Sequence, residues 1–234
     1  MKGAIRLLYP DQCVGCGALV EGAHGLCPAC WADTPFIRGL CCDACGQPLL
    51  GDRADGTAIC DDCLGLPRPW AKGRAALLYD GNARRIVLRL KHGDRTDLAR
   101  PAARWLAEAG RDILTSGVVL VPVPVHWTRL FSRRYNQAAE LARALSALTS
   151  LQATPDALRR VRKTPVQDGL GVEARFANTE LAIRAARPLT GQDIVLVDDV
   201  MTSGATLSAC ATACLAAGAT QVSVLVLARV AKTP

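Results

Sequence analysis

The segment Val195–Thr206 gathers residue types suited to one chemistry. An apolar run, Val195 to Val197, leads into two adjacent carboxylates, Asp198 and Asp199, and then into Val200, Met201, Thr202, Ser203, Gly204, Ala205 and Thr206. A strand that ends on such a turn and opens a helix leaves amide N–H groups unpaired. The helix dipole adds positive potential there, and both features stabilise a phosphate dianion. Ser203, Gly204 and Ala205 are small enough to let the backbone approach it, and Gly204 stands where the turn must curl tightest. The hydroxyls of Thr202, Ser203 and Thr206 add donors. Asp198 and Asp199 can accept hydrogen bonds from neighbouring sugar hydroxyls and stabilise positive charge developing on the ring.

A second constellation lies near the N-terminus. Nine of the eleven cysteines fall between Cys13 and Cys63. Eight form C-x2-C pairs: Cys13/Cys16, Cys27/Cys30, Cys42/Cys45 and Cys60/Cys63. That spacing makes a knuckle whose two thiolates face one metal, and two knuckles make a tetrahedral sulfur site that favours zinc. Consecutive and cross-braced pairings are both open. Short loops, 10 residues between Cys16 and Cys27 and 14 between Cys45 and Cys60, favour the consecutive one. All-cysteine sites have no open position for substrate, so the expected role is structural, with metal supplying folding energy to a segment poor in apolar surface. The competing role is a docking surface. Cys41 reads as a spare thiol, His24 as a loop residue, and Cys210 and Cys214 as small core residues.

Basic groups could complete an anion site. Val121, Pro122, Val123 and Pro124 end a strand with prolines, and the following loop then lies at the carboxyl edge, where open α/β sheets bind ligands. Arg129, Arg133 and Arg134 follow, with Asn136 and Gln137 beyond them; arginines pair bidentately with a diphosphate. Lys91 precedes Gly93 and, taken alone, reads as a surface lysine. Arg159 to Lys163, with Gln167, Arg175 and Asn178, reads as a lid that excludes water or as a solvated connector.

These residues need a scaffold, and the pattern supplies one. Short apolar runs at Ala75–Tyr79, Gly117–Val125, Asp193–Val197 and Gln221–Ala228 predict buried strands. Helical spacing at Asn82–Lys91, Asp97–Leu114, Asn136–Leu148 and Ser203–Ala217 predicts helices between them, with Gly218 as a stop. That alternation argues for a mostly parallel sheet covered by helices. Hydrophobic residues are 50% and aromatics 4% of 234 residues, so the core is built from aliphatic side chains. Residues 65–72, with two prolines, read as a linker between a module at 1–66 and a domain at 73–234.

The formal charge of +7 counts cysteines as neutral. Two Zn(Cys)4 sites, each net −2, would bring +7 down to +3, so the charge alone does not argue for nucleic-acid binding. No stretch of roughly 20 apolar residues predicts a membrane span, and the N-terminus has no apolar run of signal-peptide length. A cytoplasmic location is expected, where thiols stay reduced.

The Asp198–Thr206 run resembles the phosphoribosyl pyrophosphate (PRPP) signature of type I phosphoribosyltransferases. Five further features extend the likeness over nearly the whole chain: the four cysteine pairs, Leu90-Lys91, the proline-ended strand, Arg133 to Gln137, and Arg162 to Thr164 with Gln167, Arg175 and Asn178. Together they resemble the ComF family, a double zinc ribbon followed by a phosphoribosyltransferase domain. The family's Arg-Gly-aromatic-Asn-Gln run reads here Arg133-Arg134-Tyr135-Asn136-Gln137, with arginine in the glycine's place.

The resemblance implies transfer of ribose-5-phosphate from PRPP to an acceptor, with pyrophosphate released. Asp198 and Asp199 would hold the ribose and stabilise the oxocarbenium ion. Met201 to Thr206 would hold the 5-phosphate, and Arg129, Arg133 and Lys91 the diphosphate, together with Mg2+. It also implies a part in competence-linked DNA uptake, with single-stranded DNA or a competence protein as partner. The competing expectations are a non-catalytic PRPP sensor or single-strand binder on the same scaffold, and a zinc-ribbon assembly factor. The stacking aromatics a single-strand binder uses are few near the basic segments: Trp127, Phe131, Tyr135 and Phe176.

Overall fold

Alternation along the strands decides the layers. Val195, Val197, Leu225 and Leu227 point to one face of the sheet, and Ile194, Leu196, Val224 and Val226 to the other. Both faces are buried, as in parallel sheets covered on two sides. The computed structural model describes residues 11–20, 25–52, 56–92, 95–125, 135–161 and 182–231. In chain order it contains α1 (Pro28–Ala32), α2 (Asp61–Gly65), β1 (Gly73–Leu78), α3 (Gly81–His92), a 3-10 turn (Thr96–Leu98), α4 (Ala99–Ala109), β2 (Val119–Pro122), α5 (Gln137–Thr149), β3 (Gln152–Ala153), β4 (Leu158–Arg160), β5 (Ile183–Ala185), β6 (Asp193–Met201), α6 (Ala205–Ala216) and β7 (Gln221–Arg229).

Five strands form an all-parallel sheet in the order β1-β7-β6-β2-β3. Strands β4 and β5 pair antiparallel as a separate ribbon. The first face carries α3, α4 and α5, through Ile86, Leu90, Leu106 and Leu141. The second carries α6 and the β4–β5 ribbon, through Leu207, Cys210, Cys214, Leu158 and Ile183. Among the described residues no helix is long and apolar enough to cross a membrane.

The cysteine segment straddles the open edge of this sheet. Edge strands expose unpaired backbone groups. Here residues 35–43 run along β1 and pair with it: Ile37 N–H donates to Ala76 O (2.9 Å), Leu78 N–H to Pro35 O (2.9 Å) and Gly73 N–H to Asp43 O (2.7 Å). The first cysteine group then packs on the α3–α4 face and the second on the α6 face. Arg74, nearly fully buried, ties the second group to the sheet. Its Nη2 bonds Asp43 Oδ1 and Asp112 Oδ2, both at 2.8 Å, and its Nε bonds Asp112 Oδ1 at 3.0 Å.

Two expected elements change length for local reasons. The helix expected at Asp97–Leu114 divides into the 3-10 turn and α4, with Pro101 in the first turn of α4, and it ends at Gly110. The strand expected at Asp193–Val197 continues to Met201, which takes both carboxylates into β6. Strands β3, β4 and β5 have two or three residues each, too few to show a period in sequence.

Candidate functional site

The eight paired cysteines gather into two groups, Cys13/Cys16/Cys27/Cys30 and Cys42/Cys45/Cys60/Cys63. Pairing is consecutive. A tetrahedral site with Zn–S bonds of about 2.3 Å places its sulfurs roughly 3.8 Å apart. The Cys16 and Cys27 sulfurs lie 3.7 Å apart, as do those of Cys45 and Cys60. Backbone amides support them: Cys27 N–H donates to Cys13 Sγ (3.2 Å) and Cys60 N–H to Cys42 Sγ (3.3 Å). The two knuckles fold alike. Gly17 and Gly46 both take positive φ, +82° and +71°, and donate back to Cys13 O and Cys42 O. Donor set and spacing both fit zinc.

The corner after β6 is built as a strand-to-helix turn. Gly204 has φ +83°, a left-handed value, and caps α6. A Cβ there would meet Met201 Cε at 2.9 Å, Arg68 Nη1 at 3.0 Å and Trp70 Cη2 at 3.3 Å. Thr202 is exposed, while Ser203 and Thr206 are half-buried. Asp198 and the run from Val200 to Leu207 wall a cup of about 30 Å3. Met201 is buried, so its side chain packs beneath the turn.

The carboxylates stand on opposite sides of β6. Strand alternation sends Asp198 toward α6, where its charge acts on Cys210. Asp199 faces α3, where Lys91 Nζ lies 3.4 Å from its Oδ2. Asp198 is half-buried, and its Oδ1 accepts from the Asp199 amide at 2.8 Å. Desolvation, then the Asp199 charge, lifts its pKa from the usual 3.8 to about 8, while Lys91 and Arg160 oppose the rise. Lys91, Asp198, Asp199 and the glycine turn are thus brought together at the carboxyl edge, and Arg160 of β4 faces them. Arg129 and Arg133 lie outside the described residues, as do Arg134, the Arg162–Asn178 stretch, Trp127, Phe131, Phe176 and His24.

Tyr135, Asn136 and Gln137 have an architectural task that the motif did not reveal. Tyr135 O–H donates to Leu90 O (2.6 Å), and Gln137 Nε2 donates to Lys91 O (3.3 Å). Asn136 caps α5 by accepting from Ala138 N–H and donates to Val123 O, both at 3.0 Å. They join the ends of β2, α3 and α5 around Lys91. Sequence reasoning missed three more residues. Arg68 and Trp70 lie in the segment read as a linker, yet Arg68 Nη1 donates to Ser203 O at 2.7 Å and Trp70 Nε1 to Ala44 O at 2.6 Å. Arg229 ends a buried strand, and its Nη1 donates to Met201 O (3.2 Å) and Thr202 O (2.7 Å). An arginine between two prolines, with a tryptophan directly after them, exceeds what a spacer needs, which was the available signal.

Comparison with known proteins bears on both halves. Residues 4–64 match the double zinc ribbon domain. Over 229 residues, 95% of this chain and 99% of the relative, the chain is 31% identical to the DNA utilization protein YhgH of Escherichia coli strain K12. It is 29% identical over 206 residues to competence protein F of Haemophilus influenzae, covering 84% of this chain and 87% of that protein. Among solved structures, glutamine phosphoribosylpyrophosphate (PRPP) amidotransferase from B. subtilis superposes with a TM-score of 0.40 and 17% identity, over 59% of this chain and 30% of that one. With its double zinc ribbon and 31% identity to YhgH over nearly its whole length, the chain belongs to the ComF family, alongside YhgH and competence protein F.

Proposed function

We propose that the chain binds PRPP at the Asp198–Thr206 corner and transfers its ribose-5-phosphate group to an acceptor, in a cytoplasmic role tied to DNA use. The observation that carries this is the left-handed Gly204 opening α6 just after a strand that carries two adjacent carboxylates near its end. The first-turn amides of α6 and the Thr202, Ser203 and Thr206 hydroxyls hold the 5-phosphate. Asp198 and Asp199, one on each side of the strand end, accept from the ribose hydroxyls, and Asp198, once it loses the proton it holds up to about pH 8, adds negative charge facing the ring as the C1–oxygen bond to pyrophosphate breaks. Lys91 is placed to exchange its Asp199 partner for the departing diphosphate, and Arg129 and Arg133 complete that subsite. A Mg2+ ion bound with PRPP would offset the diphosphate charge. The acceptor's electron pair forms the new bond at C1 as pyrophosphate carries the old one away.

Calorimetric titration with PRPP and Mg2+ tests this. The wild type should bind, and the Asp198→Asn/Asp199→Asn double variant should lose at least tenfold in affinity. Equal affinity in both would remove the carboxylates from the site.

One observation favours a second reading, a single-stranded DNA surface. A cleft of about 1110 Å3 beside the first cysteine group is lined by Arg95, Arg100, Arg104 and Arg143, of which Arg95 pairs with Asp97 and Arg143 with Glu140 in the same wall. The relatives named for DNA utilization and competence support it. Affinity for an oligonucleotide that falls steeply with salt, and that an Arg100→Ala/Arg104→Ala variant lacks, would place DNA there.

A further inference from the structure

The second cysteine group lies directly beneath the phosphate turn. Its four cysteines are buried in the same core cluster as Met201, Leu207 and Trp70. Trp70 hydrogen-bonds Ala44 O inside the Cys42–Cys45 knuckle, and its ring lies 5.6 Å from the Arg68 guanidinium. Arg68 donates to Ser203 O, and Arg229, nearly fully buried, donates to Met201 O and Thr202 O. Three successive carbonyls before Gly204 are therefore held from below by two guanidinium groups. A backbone turn whose carbonyls are all tied to one side presents its next amides to the other, where an anion binds.

The charges agree with this arrangement. Arg68 and Arg229 act electrostatically on the sulfurs of Cys63 and Cys45. A Zn(Cys)4 centre carries net −2, so buried cations beside it are compensated, and it is compensated by them. The Nε atoms of Arg68 and Arg229 are buried with no hydrogen-bond partner among the described residues. Their Nη1 atoms bond the turn while their charge faces the sulfurs. Among the described residues the first group has no such link. Its bonds run to α3, where Arg89 Nη1 donates to Val14 O and Gly15 O, both at 2.9 Å.

We propose that the second zinc site is the footing that holds the phosphate turn in its anion-binding shape, with Arg68 and Arg229 as positioning residues. This rests on the PRPP reading of the turn. PRPP affinity then depends on the footing at the second site and is indifferent to contacts of the first.

The test uses the full zinc-loaded chain and three readouts: PRPP affinity with Mg2+, zinc per chain, and amide exchange at 201–206. Arg68→Met should keep two zinc ions, weaken PRPP binding about tenfold and speed exchange at the turn. Arg68→Lys keeps one donor and the charge, and should recover part of that affinity. Arg89→Met at the first group should leave affinity and turn exchange unchanged. Should Arg68→Met misfold, Trp70→Phe, which deletes only the Ala44 hydrogen bond, should weaken binding about threefold. Wild-type affinity and exchange in Arg68→Met and Trp70→Phe would overturn the proposal. If wild-type protein itself does not bind PRPP, the PRPP reading fails, and the exchange comparison alone decides the footing.

Discussion

The two cysteine groups share a spacing, a glycine at the same step and the same sulfur geometry, yet their surroundings differ. The first has one exposed cysteine, Cys16, and two half-buried ones, and it lies against α3 and α4 through hydrogen bonds and the Phe36–Trp105 ring contact. The second is buried throughout, locked to β1 by Arg74 and joined to the turn by Arg68, Trp70 and Arg229. Gly46 and Gly73 show how tight that packing is. A Cβ on Gly46 would come within 2.7 Å of Ala75 N, and one on Gly73 within 2.3 Å of Ala44 O. A knuckle is therefore a fixed local device, and its task is set by what lies on the far side of its backbone. One group covers a helical face; the other continues the core under the Asp198–Thr206 corner.

The largest expected contrast comes from removing one ligand at each group. Cys45→Ser should cost at least about 5 kcal/mol, part of the roughly 10–16 kcal/mol a structural zinc supplies, because a buried site has no water to replace the sulfur. Cys16→Ser, at the exposed ligand, should cost less than half as much. Zinc content and chemical denaturation of both variants check this; equal losses would erase the distinction between the groups.

Gly204→Ala should act next most strongly, and on binding more than on folding. A left-handed φ costs a residue with a side chain about 1–2 kcal/mol, and the added carbon would press on Met201, Arg68 and Trp70. PRPP affinity should fall by an order of magnitude or more while both zinc ions stay bound. A smaller loss belongs to the first group: Arg89→Ala deletes two hydrogen bonds to the knuckle backbone and should cost about 1 kcal/mol in denaturation, without touching PRPP affinity.

The finest distinction is in pH. The Asp198 pKa rises from the usual 3.8 to about 8 on folding, so the unfolded chain loses this proton first. Its stability contribution is present below pH 4 and is lost as pH climbs through about 8. Among the described residues, Asp199, Lys91, Arg160 and Cys210 are the charged and titratable groups facing it. Asp198→Asn should therefore gain stability over wild type progressively between pH 5 and pH 8.5. A constant difference across that range would show that Asp198 does not titrate there.

Much of this was legible in the residues, and what was not has a physical reason. The corner at Asp198–Thr206 and the cysteine pairs announced themselves because their chemistry is local: a few adjacent residues carry the whole signal. The parallel sheet was legible in the apolar runs of β2, β6 and β7. The opposite facing of Asp198 and Asp199 was not, because it depends on β6 continuing to Met201, which its pairing with β7 decides. Arg68, Trp70 and Arg229 were invisible for the same reason. Arg68 reaches a residue 135 positions away in sequence, and no periodicity encodes such a contact. Tyr135, Asn136 and Gln137 looked like part of a ligand motif; their hydrogen bonds also tie the scaffold together around Lys91, which the motif did not reveal.

A crystal of the zinc-loaded chain grown with PRPP and Mg2+ examines the central claim most directly. The 5-phosphate should lie on the amides of Ser203 to Thr206, with the ribose hydroxyls reaching Asp198 and Asp199 and the Ser203 carbonyl still on Arg68. A 5-phosphate bound anywhere else, or that turn left bare while PRPP occupies another part of the molecule, would contradict it.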